Sequence, residues 1–330
     1  MKRRIIVTDC TDPYKNLALE EYLTFHIEED EVILYLWQNE HTVVIGRNQN
    51  PWKECSVEKI KSDGCRLARR LSGGGAVYHD LGNINFTFIA RKPNFDLNKQ
   101  TNVIMDAMKM LGLDCEKSGR NDLTIDGMKF SGHAKFNSGD YCYHHGTIMM
   151  YVDCDALSKY LTVSKLKLKS KGVSSVKSRV TNLRDHVPGI TKELVNEALI
   201  RSFLKNYREG TTYVEITQET PKVPEELLEK YASEKWRYGR CIEFNVDMEE
   251  RFQWGTVYVT MEVNGGIIKR CGVYSDSLYT EVFPKLHKKL EGLKFDAATI
   301  SKIDISDICS YTEEKKIAKD VISFIAGSIE

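Results

Sequence analysis

The chain has no cysteine framework. Its nine cysteines are an odd number, spread over Cys10, Cys55, Cys65, Cys115, Cys142, Cys154, Cys241, Cys271 and Cys309 with no Cys-x-x-Cys pair. That excludes a disulfide scaffold and a structural zinc site of ordinary spacing, and leaves reduced, mostly half-buried small residues. It has no net charge either, since Lys plus Arg and Asp plus Glu number 47 each. No chain-wide case therefore exists for nucleic acid or an anionic membrane surface, and neither is expected as a partner. Long apolar runs are also missing. The start, Met1 to Asp9, is basic, but its apolar stretch stops at Val7, short of a signal-peptide core. No later run approaches the ~18 to 20 apolar residues of a membrane span. A cytoplasmic location is the expectation. There is no internal repeat and no low-complexity segment.

What is present is ordinary globular composition, 42% hydrophobic and 28% charged over 330 residues, a length that favours a large domain plus a smaller one. Tyr14, Leu17, Ala18, Tyr22 and Phe25 recur at helical spacing, and Val195, Ala198, Leu199 and Phe203 mark a second amphipathic helix. Ile84, Phe86 and Phe88 alternate with polar neighbours as a half-buried strand does, and Glu31 to Gln38 and His41 to Gly46 read as two strands separated by Asn39-Glu40. The charged stretch Val246 to Arg251 reads as a linker or domain edge. Beyond it Val257, Val259, Met261 and Val263 alternate, Asn264-Gly265-Gly266 tolerates positive φ, and a strand resumes at Ile267, which makes a hairpin. Ile317, Val321, Phe324 and Ile325 close the chain with an amphipathic helix. The pattern predicts an α+β protein with domains 1–246 and 247–330.

One local feature asks for an explanation. Gly73-Gly74-Gly75 costs backbone entropy, ~0.5 to 1 kcal/mol per glycine relative to alanine. The triplet follows Arg69-Arg70 and precedes Ala76-Val77-Tyr78, so an amide-rich loop between two guanidinium groups and a strand suits an anion. It is not a Walker A loop, which ends in Gly-Lys-Ser/Thr, nor a dinucleotide loop, because Tyr78 stands where the last glycine belongs. A tight turn between strands is the bland alternative.

The run Arg69-Arg70-Leu71-Ser72-Gly73-Gly74-Gly75-Ala76-Val77-Tyr78-His79-Asp80, taken with Gly127-Met128-Lys129-Phe130-Ser131-Gly132, resembles the signature of ATP-dependent lipoate-protein ligases. The resemblance runs from Asn16-Leu17-Ala18-Leu19-Glu20-Glu21 through Gly119-Arg120-Asn121-Asp122 and His144-His145-Gly146-Thr147 to Ser174 to Asn182. It continues in the tail at Arg251-Phe252-x-Trp254-Gly255 and Ser275-Asp276-Ser277-Leu278. It implies a large mixed-sheet domain of the biotin/lipoate ligase type with a smaller α+β C-terminal accessory domain. The implied activity forms lipoyl-AMP from lipoate and ATP, then transfers the lipoyl group to a lysine of acceptor domains in 2-oxoacid dehydrogenase E2 subunits and glycine cleavage H protein. A monomer is expected.

Carried over residue by residue, the resemblance puts Arg70, Gly75, Ala76, Val77 and Tyr78 on ATP, with Val77 and Tyr78 backbone reading the adenine edge. It puts Arg70, Ser72, Gly73, Gly74, His79 and His145 on the lipoyl group. Lys129 is the implied reacting-centre residue, contacting both ligands: adenylation brings two anions together, and a fixed cation between them stabilises the charge that spreads in the transition state. Asp122 is the implied Mg2+ position, a lone carboxylate being enough where phosphate and water complete the shell. Strand alternation lets only one of His144 and His145 face a ligand, and His145 is the expected one. Trp37, Val44 and Leu17 are candidate walls for an eight-carbon chain, at ~0.8 kcal/mol per buried methylene. The basic run Lys165 to Lys171, with Lys177 and Arg179, reads either as a solvated face or as a steering surface for acidic acceptors.

Three other functions compete with this one. An ATP-independent octanoyl or lipoyl transferase needs a cysteine shortly before the lysine segment; Cys115 is the nearest thiol, and its offset together with the retained Arg120-Asn121-Asp122-Leu123 favours the ligase. A non-catalytic lipoate-binding protein is disfavoured by the intact Lys129 and Asp122. A biotin ligase would need a Gly-Arg-Gly-Arg-type loop, which Gly46-Arg47-Asn48-Gln49 does not complete.

Overall fold

The computed structural model describes residues 1–119, 121–162, 180–208, 213–239, 244–308 and 311–329. The basic run 165–171 with Lys177 and Arg179, the residue Arg120, and most of the 174–182 motif lie outside the described residues. Strands β1 (Lys2–Val7), β2 (Glu31–Trp37), β3 (Thr42–Ile45), β4 (Arg66–Arg69), β5 (Val77–His79), β6 (Asn83–Arg91) and β7 (Glu116–Ser118) come first. They are followed by β8 (Asp122–Ile125), β9 (Met128–Ser138), β10 (Tyr141–Met149), β11 (Tyr213–Thr217), β12 (Val246–Phe252), β13 (Gly255–Asn264) and β14 (Ile267–Ser275). Eight of them form one mixed sheet in the order β11-β1-β2-β6-β10-β9-β8-β7. β1 runs parallel to β11 and β2, and every other pair in the sheet is antiparallel.

Both faces of this sheet are covered, so its central strands are buried on both sides. One face packs Phe86, Phe88, Phe130 and Ile148 against Val103, Ile104 and Met108 of helix Leu97–Met110 and Val195, Leu199 and Phe203 of helix Lys192–Asn206. The other packs Ile33, Tyr35, Trp37 and Tyr143 against Leu17, Ala18 and Leu23 of helix Pro13–Phe25 and Tyr231 of helix Glu225–Ala232. Helix Pro13–Phe25 starts where it does because the Asp12 carboxylate accepts the Tyr14 amide at 2.9 Å and Pro13 needs no amide partner in the first turn. The sequence reading of β6 as half-buried is corrected here: Asn83, Asn85 and Thr87 are buried too. Asn83 and Asn85 face a cavity, which alternation alone cannot distinguish from solvent.

A second sheet, in the order β4-β3-β5, carries the glycine loop between β4 and β5. β2 and β3, although nearly consecutive, belong to different sheets. The third sheet is the antiparallel β12-β13-β14, whose inner residues Val257, Val259, Met261 and Val273 pack with helices Val282–Leu290 and Thr312–Gly327 into a separate core. Gly265 and Gly266 take φ of +58° and +73° at the hairpin turn, as a two-residue primed turn requires. The stretch 246–251, read as a linker or a domain edge, is no linker but part of the edge strand β12 that opens the C-terminal unit, with half-buried Val246 and Met248 alternating with exposed Asp247 and Glu249. Its charges are those of a protected edge, which imitate a linker in sequence. Among the described residues no helix is long and apolar enough to cross a membrane.

Candidate active site

A cavity of about 970 Å³ lies between the large sheet, the small sheet and the C-terminal unit. Its floor is one cross-strand row of the large sheet. Trp37 pairs with Asn85, Asn85 with Thr147, Thr147 with Gly132 and Gly132 with Asp122, and all five line the cavity. Lys129 hangs over this row through a local irregularity. β9 shifts register against β8 between Leu123 and Thr124, so that Ser131 and Lys129 oppose successive β8 residues and Phe130 is passed over. In a regular strand residues 129 and 132 would point to opposite faces; the extra residue re-aims the lysine. A Cβ built on Gly132 would meet Lys129 Nζ at 2.5 Å. The ammonium donates to Asp122 Oδ1 at 2.7 Å. The turn before it is a two-residue hairpin, with Asp126 at φ +50° and Gly127 at φ +76°.

The glycine loop forms the opposite wall, and its arginines are held by backbone carbonyls. Arg69 is buried with its guanidinium on the carbonyls of Gly46, Arg47, Gln49, Trp236 and Arg237. Arg70 donates to the carbonyls of Val44, Gly73 and Gly75 and to Ser72 Oγ. Burial lowers both to about 10, which still leaves them charged at neutral pH. Arg70 therefore braces the glycine loop from behind, while Arg69 ties the segments 46–49 and 236–237 together. Gly74, with φ +91°, Gly75, Ala76, Val77 and Tyr78 line the cavity with Arg70, His79 and His145; Ser72 and Gly73 do not. Gly73 answers to a different constraint: a Cβ there would lie 2.0 Å from the carbonyl oxygen of Ser277. The C-terminal unit sits directly on the loop, with the Gly74 amide donating to Ser277 O at 3.3 Å and an Arg47–Glu281 ion pair at 2.8 Å. It also contributes Arg251, Phe252, Trp254, Asp276 and Leu278 to the cavity.

Behind the cavity runs a chain of hydrogen bonds that the sequence does not reveal. Trp37 Nε1 donates to Thr87 Oγ1 at 3.0 Å, and Thr87 donates to Glu20 Oε1 at 2.7 Å. His145 Nδ1 donates to the same Glu20 oxygen at 2.8 Å, and its Nε2 lies 2.7 Å from Ser72 Oγ. Ser72 thus supports His145 and Arg70 without touching the cavity. Glu20 stands in a motif of the sequence, but no local signal says that a helix carboxylate meets a histidine 125 residues away. His144 turns to the other face, stacks on Phe88 and contacts His133 Nδ1 at 3.0 Å. His79 accepts from Asn39 Nδ2 at 3.1 Å, and burial holds its pKa down at about 3.

Leu17, Trp37 and Val44 line the cavity and supply apolar wall. Cys115 is absent from that wall; it packs beside the core, where burial pushes its thiol up to about 11. A thiol so protonated is a poor acyl acceptor. For a metal, Asp122 offers one carboxylate, and among the described residues no three His, Cys, Asp or Glu side chains gather into a cage. That donor set suits Mg2+ held mostly by phosphate and water.

A family model described as the lipoyl protein ligase A/B catalytic domain matches residues 12–204, and one described as the bacterial lipoate protein ligase C-terminus matches residues 242–325. Among solved structures, P. falciparum LipL1 in complex with lipoate is 28% identical with a TM-score of 0.80, covering 97% of this chain and 99% of that one. A bi-partite lipoate protein ligase from Thermoplasma acidophilum, studied with its E2 lipoyl domain, is 27% identical at TM-score 0.63, over 74% of this chain and 99% of that one. A lipoate-protein ligase A bound with ATP is 25% identical at TM-score 0.62, over 72% and 99%. With the catalytic model matching more than half of its length and the C-terminal model most of the remainder, the chain belongs to the lipoyl protein ligase A/B family.

Proposed function

We propose that the protein is an ATP-dependent lipoate-protein ligase working in two steps at this cavity. In the first, the lipoate carboxylate attacks the α-phosphorus of ATP, giving lipoyl-AMP and pyrophosphate. In the second, the amine of an acceptor lysine attacks the mixed anhydride, forming the amide and releasing AMP. The observation that carries the reading is the Lys129 ammonium, held over Gly132 at the cavity floor and facing an amide-rich loop. There it bridges a carboxylate and a phosphate oxygen and offsets the charge of both. It acts as a clamp and forms no covalent bond.

The remaining residues take supporting roles. Gly75 to Tyr78 offer backbone to the nucleotide, and β5 has no second neighbour among the described residues, which leaves its outer edge for adenine. Arg70 keeps the loop in shape; Gly74, His79 and His145 face the acyl chain along with Leu17, Trp37 and Val44. Asp122 would supply the one protein ligand to Mg2+, which neutralises phosphate charge when bound. The division of labour is a catalytic unit, 1–246, and an accessory unit, 247–330, the break falling at the first residue of β12. Acceptors are lipoyl domains, the enzyme acts as a monomer, and its place is the cytoplasm. The test is lipoate-dependent exchange of pyrophosphate into ATP. Exchange in the wild type and its loss in Lys129→Ala with an unchanged circular dichroism spectrum are expected. Octanoyl transfer without ATP, or near-normal exchange in the variant, would sink the reading.

A further inference from the structure

Two buried donors in the cavity wall have no partner among the described residues. Asn85 is 2% exposed; its Oδ1 accepts from Asn83 Nδ2 at 3.0 Å, and its Nδ2 has no hydrogen bond. His79 is 3% exposed; because Nδ1 accepts from Asn39, the ring proton of the neutral form is on Nε2, which is also unpaired. Both residues line the cavity, and both adjoin Trp37, Asn85 as its cross-strand neighbour and His79 with its ring centroid 6.5 Å from the indole. An unpaired buried N–H costs ~1 to 3 kcal/mol, so a ligand that brings an acceptor to this point is favoured over one that does not.

The row geometry says which part of a ligand arrives there. Lys129 Nζ lies over Gly132 on β9, and Asn85 is two strands further along the same row, about 10 Å away at the usual interstrand spacing. With its carboxylate at Lys129, an eight-carbon chain laid along the row ends beside Asn85 and Trp37. Given the lipoate-activating reading, on which this rests, that end is a dithiolane ring. Its sulfurs are weak acceptors, as a thioether sulfur is, whereas a saturated chain offers nothing to either donor. We propose that Asn85, assisted by His79, is a specificity-determining residue that makes this cavity prefer a sulfur-bearing acyl terminus over a hydrocarbon of the same shape.

The probe pair is lipoate and 5-cyclopentylpentanoate, which keeps the ring and replaces both sulfurs with methylenes. Dissociation constants of both acids for the full chain are measured by calorimetry without nucleotide, and exchange kcat/KM is measured in parallel. The wild type should favour lipoate by about tenfold, and Asn85→Leu should bring the ratio to within about twofold of unity, mainly by weakening lipoate. A wild-type ratio near one overturns the proposal. So does an Asn85→Leu variant that weakens both acids equally, the signature of general damage. Should Asn85→Leu not fold, His79→Phe removes the second donor and should narrow the ratio in the same sense; an unchanged ratio counts against the idea. If neither acid supports exchange, the ligase reading fails while the binding ratio still decides this one.

Discussion

Gly132→Ala is the sharpest perturbation of the site. The new methyl would sit 2.5 Å from Lys129 Nζ and 2.8 Å from Cε, and 3.9 Å from Asp122 Oδ1. Ordinary carbon contacts lie at ~3.5 to 4.0 Å, so the ammonium must retreat by about an ångström or more while the carboxylate stays. The displaced atoms are the free end of a flexible side chain, so the strand has no need to move. Gly132 does not occupy a positive φ, and alanine there restricts the unfolded chain, worth ~0.4 to 1 kcal/mol in favour of folding. Thermal stability should therefore hold or rise slightly. Activity should not: misplacing a reacting group by 1 Å costs ~100-fold, and losing an oxyanion-type donor costs ~100- to 1,000-fold, or about 2.7 to 4 kcal/mol. The assay is the pyrophosphate exchange rate at saturating lipoate and ATP, with the melting temperature recorded on the same preparation. The effect should also be absent in a Lys129→Ala background, because no ammonium is left to displace. Exchange within a few-fold of wild type at unchanged stability would refute the seat assigned to Lys129.

Asp122→Asn keeps the shape but removes the charge of a charge-assisted bond, worth ~1.5 to 3 kcal/mol. ATP-dependent exchange should fall by about 10- to 100-fold while lipoate binding, followed by calorimetry, persists; equal loss of both would remove the assignment to the nucleotide side. Stability should also be acid-sensitive. Burial holds His79 at about 3 and His144 well below its ordinary value, so both are neutral in the fold. Below pH ~6.5 the unfolded chain takes up protons that the folded one refuses, so stability is complete above that value and is lost as pH falls towards ~3. His133 is held at about 3 in the same way, and each such group adds up to about 1.4 kcal/mol per pH unit once the pH is well below ~6.5. Urea midpoints at pH 7 and 5.5 measure it, and identical midpoints would show that these rings accept a proton in the native state.

Features written in a few consecutive residues are legible in the sequence alone. Asn264-Gly265-Gly266 specifies a hairpin turn because positive φ is needed there, and a hairpin is what it forms. The amide-rich loop, the lysine after its turn and the lone aspartate likewise stand out by residue type and spacing. Misreadings arise where one local pattern has two tertiary meanings. A polar strand face reads as solvent-facing whether it meets water or, like Asn83 and Asn85, a cavity. A charged edge strand is open to being read as a linker, as Val246 to Arg251 is alongside its reading as a domain edge.

The sequence by itself determined the family, the mixed α+β character and the short motifs, all of which depend on neighbours in the chain. Only the tertiary structure decided what those motifs touch. It turned Arg69 and Arg70 inward to carbonyls, made Gly73 a seat for Ser277, and joined Glu20 through His145 to Ser72. It also aligned Trp37, Asn85, Thr147, Gly132 and Asp122 in one row. The reason is register: a ladder is fixed by pairing among strands far apart in sequence, and a slip of one residue reverses every side chain. One such irregularity in β9 is what points Lys129 at the cavity.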